Sequence, residues 1–98
     1  MHADPAAYLF EAEDEEAQIH CWTILTDGHG VRIEGGPILY RADRGRIVVE
    51  DDGTATLRAR PEELFLNAEV NEIVVRVEAE VEGYDVVAEP REVVFRRR

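Results

Sequence analysis

From Ile73 to Val81 apolar residues fill every odd position, and charged residues fill most of the even ones. A period of two sends successive side chains to opposite faces, so this run predicts an antiparallel strand packed on one side and wet on the other. Thr54 to Ala59 repeats the pattern, with Ala55, Leu57 and Ala59 inward and Thr56 and Arg58 outward. Ile38, Tyr40 and Ala42 share one face of a further strand, Arg46 to Glu50 forms another, and Tyr8-Leu9-Phe10 reads as a short first strand. Gln18 to Thr26 is apolar on both faces: Ile19, Cys21, Thr23 and Leu25 on one, His20, Trp22 and Ile24 on the other. That predicts a central strand, or one covered by a neighbouring surface. Val86-Val87 and Val93-Val94-Phe95 make the last strand, interrupted by Glu89-Pro90-Arg91. Proline has no N–H for the ladder, which places that interruption at an edge or a bulge.

Turn signals punctuate these runs about every ten residues, the spacing of a sandwich or barrel. They are Asp27-Gly28-His29-Gly30, Gly35-Gly36-Pro37, Asp43-Arg44-Gly45, Asp51-Asp52-Gly53 and Gly83. Arg60 to Asn71 is the least strand-like stretch. Pro61 followed by Glu62 and Glu63 suits one helical turn, with acids at its start and Leu64 to Leu66 capping one end of the core. No repeat or linker divides the 98 residues, so one domain is expected, with an N-terminal strand and acidic loop over 1–17 and an insertion over 60–71. Seven or eight short strands without an ordinary helix predict an all-β fold, an immunoglobulin-like β-sandwich of antiparallel strands, with a small barrel as the alternative.

Several segments carry a family likeness. Leu25-Thr26-Asp27-Gly28-His29-Gly30-Val31, Gly36-Pro37-Ile38-Leu39-Tyr40, Asp52-Gly53-Thr54-Ala55-Thr56-Leu57, Val75-Arg76-Val77-Glu78-Ala79 and Val93-Val94-Phe95 resemble the bacterial immunoglobulin-like domains of invasin-type and intimin-type adhesins and of phage virion proteins. The likeness spans about Gln18 to Arg96. It departs at Tyr40, where the family usually has Phe, and at Arg60 to Asn71, which is longer than usual. The resemblance implies a rigid spacer, surface module or binding scaffold without shared catalytic residues.

Composition narrows the partners. The net charge is −11, from 22 acids against 11 basic residues that are all arginine. Phosphate recognition needs clustered basic side chains, so nucleic-acid binding is not expected, and Arg96-Arg97-Arg98 reads as a strand end kept soluble. Arginine without lysine on an acidic chain fits a GC-rich genome or a high-salt source. The amino terminus lacks the basic and apolar regions of a secretory signal, and no apolar run reaches the roughly 20 residues of a membrane span. The chain is therefore expected either to be assembled without classical secretion or to be a piece of something larger.

Candidate chemistry is sparse. Cys21 has no partner for a disulfide and reads as a small buried hydrophobe. His2, His20 and His29 with Cys21 could in principle hold zinc, but His20 and Cys21 are adjacent and point to opposite faces of a strand. Asp27, Asp51 and Asp52 sit in turns and are the calcium candidates, the other reading being side-chain capping of their own turns. The acidic residues between Glu11 and Glu16 suit a solvated loop, or contact with a basic partner or cations. The chain has no serine and no phosphate loop, and neither catalysis nor a cofactor is expected. Trp22 and Ile24 on the second face of their strand are either core or the centre of an interface. With Leu64 and Phe65 of the insertion they are the candidate partner-binding residues.

The expected function is a non-enzymatic structural or assembly module, of a phage virion in capsid decoration or tail. The alternative is a recognition domain of a cell-surface adhesin that binds a glycan or protein. Its expected partners are proteins, self-association included, and its expected location a virion or an extracellular surface.

Overall fold

The computed structural model describes residues 1–24, 29, 38–81 and 90–98. Its strands are β1 (His2–Asp4), β2 (Ala7–Phe10), β3 (Ala17–Trp22), β4 (Ile38–Ala42), β5 (Arg46–Val49), β6 (Ala55–Ala59), β7 (Glu72–Val81) and β8 (Arg91–Arg97). A one-turn helix, α1 (Pro61–Leu64), joins β6 to β7. The strands form two four-stranded sheets, in the orders β1-β3-β6-β5 and β2-β8-β7-β4.

The period-two pattern sets which face of each strand is dry. Val75, Val77, Ala79 and Val81 of β7 are buried, as are Ala55, Leu57 and Ala59 of β6 and Ala17, Ile19 and Cys21 of β3. Register then matches size across the ladders: Ile19 lies opposite Leu57 and Val75 opposite Val93, whereas bulky Tyr40 lies opposite Ala79. Residues from both sheets join one apolar core. An aromatic group closes one end of it, with Phe10 and Phe95 stacked at 6.0 Å and Phe65 set edge-on to Phe10 at 6.2 Å. The Tyr40 hydroxyl donates to the Gly53 carbonyl at 3.2 Å, tying the second sheet to the turn between β5 and β6 of the first.

Two turns behave as their residues require. Gly45 has φ of +82°, and a Cβ there would lie 3.0 Å from both the Arg58 carbonyl oxygen and Leu57 Cδ1, so glycine is needed for backbone and space alike. In the 51–53 turn Asp52 accepts from the Thr54 N–H (3.0 Å) and hydroxyl (2.6 Å), capping the turn as its sequence suggests. The helical turn starts at Pro61, and Glu63 accepts the Arg60 N–H at 3.1 Å. Leu64 and Phe65 plug the core, but Leu66, expected to share that role, is 78% exposed.

The strand pairing departs from expectation at the N-terminus. A strand over His2–Asp4 precedes the one at Tyr8 and pairs with β3, whereas β2 joins the other sheet. β2 also runs parallel to β8, with Tyr8 opposite Phe95, so the pairing is not antiparallel throughout. Three residues are too few to display a period, and a parallel partner more than eighty positions away leaves no local mark. Among the described residues the strands fall into two separate sheets. The turns expected at Asp27-Gly28 and Gly35-Gly36-Pro37, with Leu25, Gly83 and Val86-Val87, lie outside the described residues.

Candidate functional site

The outer face of the first sheet carries the chemically richest patch among the described residues. Because Ile19 and Cys21 of β3 point inward, His20 and Trp22 must point out, and Trp22 is only half-buried. The β1 strand brings His2 directly opposite Trp22, and Asp4 opposite His20. Both imidazoles stack on the indole: His2 with ring centroids 5.2 Å apart and planes 19° from parallel, His20 at 5.3 Å and 28°. Thr56 of β6 flanks His20 on its other side. Ile24, two residues beyond Trp22, is 49% exposed. The patch offers flat aromatic surface with hydrogen-bonding ring nitrogens, which suits recognition by stacking and polar contact.

Of the two readings of Trp22, core or interface centre, the alternation of β3 puts its ring on the outer face. Both faces of β3 carry apolar residues, and packing of the second sheet on Ile19 and Cys21 decides which side is covered. Leu64 and Phe65, the other partner-binding candidates, are buried in the core and present no surface. Leucine and phenylalanine in a loop suit either role, and α1 decides by turning them inward.

Among the described residues the metal candidates do not converge. Cys21 is fully buried on the face opposite His20, and burial pushes its thiol up. Asp51 and Asp52 share one exposed turn, and Asp52 is held below the ordinary carboxylate value chiefly by the Thr54 hydroxyl, then by the Thr54 N–H. Asp27 lies outside the described residues, and among those described no three His, Cys, Asp or Glu side chains are grouped to hold an ion.

The acidic run is less uniform than its composition suggests. Glu11, Glu13 and Asp14 are exposed, but the chain folds back so that Glu16 meets three arginines: Arg46 at 2.8 Å, Arg58 at 3.4 Å and Arg60 at 3.5 Å. Arg46 also reaches Glu63 of α1 at 3.0 Å. Arg46 holds both carboxyls below the ordinary value. Nearby, the Tyr8 hydroxyl donates to Glu15 at 2.7 Å, and that bond pushes the phenol up to about 12.

A folded-state carboxyl below its unfolded value of 4.5 contributes stability that is present above that pH and lost as pH falls through the folded value. Melting curves of the native chain and of Glu16→Gln should therefore lie apart at neutral pH, the variant lower, and converge as pH falls from 4.5 through the folded value. Curves that stay parallel through that range would exclude a role for this cluster in acid stability.

Comparison of the chain with protein-family models, with curated proteins and with solved structures gave no match in any of the three.

Proposed function

We propose that the chain is an immunoglobulin-like structural module that works by being held in a larger protein assembly, with a phage capsid or tail as the setting its sequence resemblance implies. The observation that carries this reading is strand order. If β1 and β2 are the two halves of a first strand A, and β3 to β8 are B to G, the first sheet runs A-B-E-D and the second holds C-F-G, the arrangement of a constant-type immunoglobulin sandwich.

The two outer faces support a division of labour. On the second sheet Arg41 pairs with Glu80 (2.8 Å), Arg76 with Glu78 (2.9 Å) and Arg96 with Glu72 (3.4 Å), a mostly charged surface with exposed Leu9, Leu39 and Val74 among the ion pairs. On the first, Trp22 and its stacked histidines form the kind of centre that dominates interface energetics. The module docks through the Trp22 face and leaves the charged face to water.

Gradient sedimentation of material from the native source tests this. The chain should travel with a large particle at fixed stoichiometry, and Trp22→Ala should stay at the top of the gradient while circular dichroism shows it still folded. A native chain found only at the top, free of any particle, would overturn the proposal.

A further inference from the structure

We infer that β5 is a self-recognition edge, pairing antiparallel with β5 of a second copy of this chain about a twofold axis through Val48. The inference rests on the edge itself and not on the reading above. β5 ends its sheet, and among the described residues nothing pairs with its outer side. The Glu50 N–H donates to the Thr54 carbonyl at 2.8 Å, which fixes the phase of the ladder. Arg46, Val48 and Glu50 direct their backbone groups to β6, and Ile47 and Val49 direct theirs outward.

That phase admits a closed twofold register. With Val48 on the axis, Ile47 meets Val49 of the second copy, and the two such pairs exchange four backbone hydrogen bonds. Val48 faces its own equivalent in the closely spaced position, at a Cα separation of about 4.5 Å. Arg46 faces Glu50 of the second copy, so the sequence Arg46-Ile47-Val48-Val49-Glu50 is charge-complementary to itself when reversed.

The side chains fit the pairing too. Edge strands are blunted by shortness, charge, proline or a bulge; β5 is short and begins at Arg46, but between Arg46 and Glu50 it exposes 41% of Val48 and 59% of Val49 with no lysine or proline. Arg46 keeps half of its side-chain surface exposed while engaged with Glu16 and Glu63. The edge strand β4 offers no such match. Its twofold register about Tyr40 sets Leu39 against Arg41, without an acid.

Sedimentation velocity of the full chain tests the inference, at about 0.15 M salt where charges are screened beyond about 8 Å. The native chain should show a monomer–dimer equilibrium. Val48→Lys and Val48→Glu should each be monomeric, with pairing weakened roughly tenfold or more, because like charges then face each other across the axis. Mixing the two should restore the dimer, since residue 48 meets only its own equivalent. Val49→Pro should abolish pairing even in the mixture, as it removes an outward donor and no β5–β6 bond. Circular dichroism should show all three variants folded. A native chain still monomeric at about 1 mM, a concentration that populates even weak pairing, would overturn the inference, as would a Val48→Lys dimer or a mixture that does not associate.

Discussion

Phe95→Ala should lower stability by about 4 kcal/mol, the cost of removing a large buried side chain and leaving a cavity. Phe95 is fully buried on β8, stacked on Phe10 and 6.4 Å from the Tyr8 ring. It therefore holds together β2, β8 and, through Phe10, the Phe65 plug. For a domain of this size such a loss lowers the melting temperature by about 15–30 °C. Equilibrium urea denaturation gives the number directly. Phe10→Ala should cost less when made in the Phe95→Ala background than alone, because the two rings share a partner. Strict additivity would show that they do not act as a unit.

Arg97→Ala should cost about 2–3 kcal/mol, large for a charged residue in a terminal strand. Only 12% of its side chain is exposed. Lying on the inward face of β8 where the apolar core ends, it sets its guanidinium 4.6 Å over the Phe65 ring. Its Nε donates to the Val70 carbonyl at 3.0 Å and its Nη2 to the Asn67 carbonyl at 2.9 Å. These bonds close the return from α1 to β7, so amide exchange in residues 66–71 should accelerate in the variant while β3 and β6 stay protected. Arg97→Leu should recover part of the stability and none of the protection. Full recovery of both would reduce the arginine to an apolar cover.

The alternation from Ile73 to Val81 was readable because burial on one face imposes its period on every residue of a long strand. The same holds for Thr54 to Ala59, and the helical turn at Pro61 was readable from residues whose chemistry is local. Three other features depend on distant partners. Glu16 looks like one more acid in a self-repelling run, and its arginines lie 30 to 44 positions away. The Trp22 patch needs His2 from a strand too short to show any pattern. Arg97 sits in a basic terminus that composition alone assigns to solvent, although its place in the β8 alternation, after Val93 and Phe95, points inward.

The split of the first strand has a mechanical consequence. Met1 lies beside the start of β8, where its carbonyl accepts from Arg91 at 2.9 Å, and the other end of the chain leaves from the far end of β8, about 20 Å away at roughly 3.3 Å per residue. Tension applied to the two ends reaches β2 and β8 as opposed forces along parallel strands. Their backbone hydrogen bonds are then loaded in shear and must fail together, whereas an antiparallel hairpin pulled at its open end unzips one rung at a time. A domain wired in this way resists extension better than one whose terminal strands are loaded as an antiparallel hairpin.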